Sequence, residues 1–201
     1  NLARVAKRPI ITVMLMLCVL VITAMSVRES IYSLWLNARL ELNARQIGLV
    51  VAYAGGMVFL IQMFGIGRLA KRFGELNLVK TALVCLATSW LLLIASDGIP
   101  GILVAMTFGA FGTAFFQTNM QAMMSLRAGP TERGAVLGVY QSSSSAARFV
   151  GQASSGTLFG QIGQNAPFLI GAAAMLPAMA LAWWAGRRMQ AERRPVGDRR
   201  D

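Results

Sequence analysis

Apolar residues fall into blocks close to the roughly 18–20 residues that span a bilayer core. Six such blocks stand out: Ile10–Leu36, Ile47–Ile66, Leu78–Ala95, Gly101–Met124, Ala135–Leu158 and Ala166–Ala185. None alternates with period two, which argues against a β-barrel. The pattern predicts an all-α membrane protein with six transmembrane helices. The joints between blocks are short. Asp97-Gly98-Ile99-Pro100 turns the third span into the fourth, with Pro100 suited to a helix start. In Arg127–Arg133, Gly129-Pro130 signals a turn and Thr131 is placed to cap the helix after it. Gln161–Asn165 carries no charge, and Pro177 falls well inside the sixth span, where membrane helices tolerate a kink. The longest joint, Arg28–Gln46, begins as a continuation of the first helix, turns at Leu40–Arg45 and restarts at Gln46-Ile47-Gly48. Arg28 and Glu29 are placed in the outer third of that first helix. The chain divides into 1–9, the end of a cytoplasmic linker; 10–186, the six-helix unit; and 187–201, a basic cytoplasmic tail.

An internal repeat sharpens this. Gly67-Arg68-Leu69-Ala70-Lys71-Arg72-Phe73-Gly74 shares its Gly-x-Leu-x-x-x-x-Gly skeleton with Gly156-Thr157-Leu158-Phe159-Gly160-Gln161-Ile162-Gly163, and the first glycines lie 89 positions apart (156 minus 67). The first copy has three cations and the second none. Related segments on oppositely charged sides of a membrane are the mark of an inverted repeat, here three spans plus three, as secondary transporters use. Gly48…Tyr53 and Gly134…Tyr140 echo each other loosely at corresponding places.

Charge placement gives the orientation. The 201 residues are 56% apolar with mean hydropathy +0.57 and net charge +11. Fifteen of the 19 Lys and Arg lie before the first span, in the second and fourth loops, or in the tail. The other side holds only Arg28, Arg39 and Arg45, and Arg148 lies within a span. The positive-inside rule then puts both termini in the cytoplasm, and a nucleic-acid partner is not required to explain the charge. Cys18 and Cys85 sit in mid-span and no histidine exists, which excludes a structural zinc site on ligand count. Neither a catalytic centre nor a nucleotide-binding loop is encoded, and no cofactor or metal is called for. The basic opening from Asn1, without Met, reads as a chain truncated at its amino end.

The fifth span carries the sharpest polar pattern. Gln141, Ser145, Arg148, Gln152 and Ser155 fall at i, i+4, i+7, i+11 and i+14, one face through the whole membrane. Such a stripe suits a watery cavity or a partner helix, since a charge at mid-depth costs several kcal/mol unless paired or hydrated. The alternative is a buried structural pair. In the fourth span Thr113, Gln117 and Gln121 share a face among Phe111, Phe115 and Phe116, with Asn119 on another side. These amides suit a mostly apolar ligand or, equally, interhelical hydrogen bonds. The first span shows Thr23, Ser26, Ser30, Ser33 and Asn37 along one face, with Glu29 beside it. Glu29 is the one plausible membrane carboxylate and so the candidate for proton coupling, in one polar cavity with Arg148; at the outer interface it would instead be solvated or paired with Arg39 or Arg45. Gly134/Gly138 and Gly156/Gly160 are small-x-x-x-small pairs fit for close helix crossing. Gly67 and Gly74 read as tight turns at the helix ends, and Arg68, Lys71 and Arg72 as cations for carboxylates, helix carboxyl ends or anionic lipid.

The segment Gly67–Gly74 resembles the loop signature of the major facilitator superfamily, Gly-x-Leu-Ala-Asp-Arg-x-Gly, with Lys71 in place of the acid and Glu75 after the second glycine. Glu132-Arg133-Gly134…Gly138 resembles the family too. The resemblance implies the carboxy-terminal six helices of a twelve-helix transporter, missing its amino-terminal six-helix half, with Gly67, Arg68, Lys71, Arg72 and Gly74 forming a conformational latch. The Gln-Ile-Gly start of the second span and the Gln/Ser/Arg helix are similar to drug-efflux members of the tetracycline-exporter type. That implies proton-coupled efflux of a small drug-like molecule across the bacterial cytoplasmic membrane by alternating access. Import or export of a sugar or other metabolite, and a six-helix scaffold or assembly protein, stay open as alternatives.

Overall fold

The computed structural model describes residues 9–129 and 131–193, so the expectations for the chain's opening and for most of the basic tail lie outside the described residues. Its elements are α1 (Pro9–Leu40), α2 (Ala44–Leu60), α3 (Ile66–Phe73), α4 (Glu75–Ala95), α5 (Ile99–Arg127), α6 (Arg133–Thr157) and α7 (Ala166–Arg193). Single π-helical stretches, Ile61–Gly65 and Leu158–Ile162, extend α2 into α3 and lengthen α6. Five of the resulting rods are long and apolar enough to cross a membrane. The α6 rod falls short of that apolarity because one helix carries Gln141, Ser142, Ser143, Ser144, Ser145, Arg148 and Gln152.

Local chemistry fixes the helix limits. Asn43 caps α2: its side chain accepts from the Gln46 backbone N–H at 3.0 Å, and the Gln46 side chain accepts from the Asn43 N–H at 3.0 Å. The restart therefore comes two residues earlier than Gln46. Pro100 sits in the first turn of α5, where its missing N–H costs nothing. The N-cap position of α6 falls on Glu132, not Thr131. Gly74 (φ 79°) and Gly163 (φ 134°) end their rods in backbone that a side chain strains. Gly67, by contrast, lies inside α3, so the motif turns only at its second glycine.

The helices pack in a regular exchange: α1 lies on α6 and α7 as α5 lies on α2 and α4, and α4 also meets α7. Lipid chains are as apolar as leucine, so close fit rather than water exclusion holds such helices together. Glycine permits the closest crossings. A Cβ on Gly151 of α6 would stand 2.6 Å from the Thr23 carbonyl oxygen of α1. On Gly112 of α5 it would stand 2.7 Å from Leu86 and 3.0 Å from the Ala82 carbonyl oxygen of α4. Gly134, Gly138, Gly156 and Gly160 have no atom within 4 Å of an added Cβ, so the small-residue pairs named from sequence are not the crossing points within this chain.

The joints after α1 and α4 and the one before α7, which carry no Lys or Arg, gather at one end of the bundle. Arg39 at the end of α1 donates to the Ile94 carbonyl oxygen (2.8 Å) and to Asp97 (3.2 Å). Trp35 Nε1 donates to Asn165 Oδ1 at 3.1 Å, and the Trp35 ring tilts against Phe168 with centroids 5.0 Å apart. At the other end Lys80 and Arg187 lie over the Trp183 ring, at 4.9 and 5.7 Å, and Arg188 over Trp184 at 5.1 Å. Cys18 and Cys85 are free thiols; Cys18 lies 3.5 Å from the Ser144 hydroxyl.

Candidate functional site

A pocket of about 350 Å³ opens between α1, α2 and α5, and it holds the charged pair of α1. Arg28, Glu29, Tyr32 and Ser33 line one wall, Val51, Ala54, Gly55 and Val58 a second, and Met106, Gly109, Ala110 and Thr113 a third. Ala54 lies ten residues into α2 (54 minus 44) and Gly109 ten into α5 (109 minus 99). At a rise of 1.5 Å per residue that is ~15 Å from the loop end. Arg28 is twelve residues from the end of α1 at Leu40 (40 minus 28), a similar ~18 Å. The pair thus lies at the inner edge of the outer third of α1, where the sequence placed it, ~18 Å from the Leu40 end.

Arg28 is a largely buried charge. Its side chain is 12% exposed, and Nη2 lies 3.9 Å from Glu29 Oε1, whose own side chain is 44% exposed. The guanidinium also lies 5.9 Å from the Tyr32 ring centroid. Neither Arg28 Nε nor the Tyr32 hydroxyl has a hydrogen-bond partner among the described residues. A Cβ on Gly109 would stand 2.8 Å from Ser89 Oγ, so glycine here makes room for Ser89, and 3.9 Å from Arg28 Nη1, an ordinary contact. Glu29 is paired with Arg28, while Arg39 pairs with Asp97.

Arg148 lies elsewhere and is not among the residues lining this pocket. On α6 the buried residues are Val136, Tyr140, Ser144, Ala147, Gly151 and Ser155. Gln141, Ser145, Arg148 and Gln152 each follow one of these by a single residue, ~100° further round the helix, and all four are exposed. Ser155, the expected fifth member of the stripe, turns inward and donates to the Gln152 carbonyl oxygen at 2.7 Å. Of the α5 candidates, Thr113 joins the Arg28 pocket, Gln117 is half-buried and Gln121 exposed. Asn119 is buried and bonds the Phe115 carbonyl oxygen at 2.7 Å, on another side as expected. In the loop motif Gly67, Arg68, Lys71 and Arg72 are exposed, and Arg72 lies 5.5 Å from the Phe73 ring centroid.

Sequence reading missed Arg28 and Tyr32. The i, i+4 spacing of a cation and a tyrosine inside an apolar run was a readable signal. Asn43-x-x-Gln46 was a readable capping box.

These features define a multi-pass, all-helical membrane protein. The major facilitator superfamily model matches residues 4–201, and the chain belongs to that superfamily. Among solved structures it resembles the peptide transporter POT, a mutant crystallised in complex with sulfate. The TM-score is 0.78 at 14% identity, over 88% of this chain and 37% of that one. At that identity the likeness is one of fold, and this chain spans well under half the length of that transporter. No curated protein matches the sequence.

Proposed function

We propose that the chain is a six-helix, 3+3 inverted half of a proton-coupled exporter of small drug-like molecules, of the tetracycline-exporter type. It works by alternating access in the bacterial cytoplasmic membrane, with both termini in the cytoplasm and a second six-helix half as its partner. The observation that carries the reading is Glu29 beside Arg28 in a pocket between α1, α2 and α5. A motion that changes the distance between a carboxylate and a neighbouring cation changes how tightly that carboxylate holds a proton, and so can drive proton uptake and release.

Three further features support it. The same helix pairs meet when α1 is exchanged with α5, α2 with α6 and α4 with α7, as an inverted repeat requires. The two positive-φ glycines that end their rods, Gly74 and Gly163, keep the 89-residue offset of the motif (163 minus 74). The polar face of Gln141, Ser145, Arg148 and Gln152 is open, as the wall of an aqueous path to the second half would be. Gly67–Gly74 acts as the latch between halves.

The test uses the complete transporter in proteoliposomes. Glu29→Gln is expected to abolish transport driven by a pH gradient while sparing substrate exchange. Wild-type pH dependence in that variant would remove Glu29 from the mechanism.

A further inference from the structure

We propose that the Arg28–Tyr32 pocket is a subsite for the carboxylate of an acid-bearing, otherwise apolar small molecule. Among the polar groups lining it, Arg28 supplies only donors, while Tyr32, Ser33 and Thr113 bring hydroxyls that can donate and Glu29 is the one carboxylate. A guanidinium has five N–H donors in a planar fork, and Glu29 at 3.9 Å supplies charge without a hydrogen bond. Arg28 Nε–H and the Tyr32 hydroxyl are both orphaned and covered in the pocket wall, one helical turn apart on α1, so a ligand reaches them by a turn of these two side chains toward the pocket. Each buried donor left unmade is a penalty that an incoming acceptor removes. The planar fork of arginine matches a carboxylate in two parallel hydrogen bonds, and the tyrosine hydroxyl can donate a third.

The rest of the pocket sets the body of the ligand. Val51, Val58 and Met106 are apolar, and about 350 Å³ is room for an organic molecule rather than a lone water. Glu29, Ser33 and Thr113 are the other polar groups facing the site. Since Glu29 and the ligand carboxylate draw on one guanidinium, neutralising Glu29 is expected to strengthen ligand binding. The proposal rests on the transporter reading only in making the ligand a cargo; binding itself can be read without transport.

The experiment compares benzoate with benzamide, the same ring without the charge, by thermal unfolding of the full-length protein in detergent. Benzoate at millimolar concentration is expected to raise the unfolding temperature by several degrees and benzamide not to. Arg28→Gln is expected to erase the shift, and Glu29→Gln to lower the benzoate Kd several-fold. Tyr32→Phe removes an orphaned hydroxyl, so it is expected to fold as well as wild type while raising the benzoate Kd about tenfold. If Arg28→Gln does not fold, Tyr32→Phe decides. Equal shifts from benzoate and benzamide, or unchanged benzoate affinity in Tyr32→Phe, would overturn the proposal. Charge-selective binding in a protein without pH-driven transport would keep this site and discard proton-coupled efflux. Transport without charge-selective binding would do the reverse.

Discussion

Arg28 and Arg148 both sit well inside long helices that cross one another, α1 and α6, and the fold treats them oppositely. Arg28 is tucked between α2 and α5 with Glu29 at its side. Arg148 is one residue past buried Ala147, and that single step, ~100° of rotation, leaves it exposed beside Gln141, Ser145 and Gln152. Depth along a helix therefore says that a charge is expensive, but rotational phase decides whether protein or something beyond this chain must meet the expense. The buried arginine makes an internal site. The exposed one makes a wall.

The largest expected effect tests whether that wall is wet. In a background with Cys18 and Cys85 replaced by alanine, Ser145→Cys is expected to react with a hydrophilic maleimide on the order of 100 times faster than Ala147→Cys, because a thiol buried among apolar groups is inert. Ala147 is 2% exposed. Equal rates would mean that the stripe faces lipid or a tightly packed partner, and the two arginines would then differ less than the fold implies.

The two faces of α6 can next be compared through their glycines. Gly151→Leu drives a side chain into the Thr23 backbone, which is expected to destabilise by about 3 kcal/mol or more, the upper end for overpacking. Gly156→Leu meets open space and is expected to leave the unfolding temperature near wild type. Size-exclusion profiles and thermal unfolding of the purified protein read both. A tolerated Gly151→Leu would mean that α1 and α6 do not cross where the structure places them.

Much of this was legible in the sequence, and the failures share one cause. The helical spans, the short joints, Pro100 at a helix start and the turn at Gly74 all follow from composition along the chain, which periodicity and punctuation report directly. Rotational phase between neighbours is not written there. That is why Gly134/Gly138 and Gly156/Gly160 read as crossing points while Gly151 and Gly112 are among those that touch, and why Ser155 was grouped with a stripe it leaves. An apolar run also gives the centre of a helix better than its end: α1 extends four residues past Leu36. The α6 rod shows the converse, since its polar face lowers its apolarity below that of the other five although it is as long as they are.

A stability comparison of the arginines comes next in size. Arg28→Ala removes the partner of Glu29 and the packing against Tyr32, and is expected to cost about 1–3 kcal/mol. Arg148→Ala is expected to stay within about 0.5 kcal/mol of wild type, as surface substitutions do, yet to impair both pH-driven transport and exchange. A destabilised Arg148→Ala would recast Arg148 as a structural residue and take it out of the transport path.

The smallest effect concerns the end of the bundle that holds Arg28's helix in place. Trp35 is fully buried on α1, two turns beyond Arg28, and its indole N–H donates to Asn165 in the joint before α7. A buried indole left without an acceptor loses about one hydrogen bond's net worth, so Asn165→Ala is expected to destabilise by about 1 kcal/mol. The effect should be partly local if the same bond helps to set the azimuth of α1 and with it the aim of the Arg28 guanidinium. Asn165→Ala is therefore expected to weaken benzoate binding about two- to threefold while leaving Ser145→Cys labelling unchanged. Asp97→Ala, which releases Arg39 at the same end of α1, serves as the control: its aspartate side chain is 93% exposed, so the loss should be near the low end for surface ion pairs, about 0–0.5 kcal/mol. If the two variants move benzoate affinity equally, the Trp35–Asn165 bond has no special part in setting the pocket, and the phase of α1 is held by its packing against α6 and α7 alone.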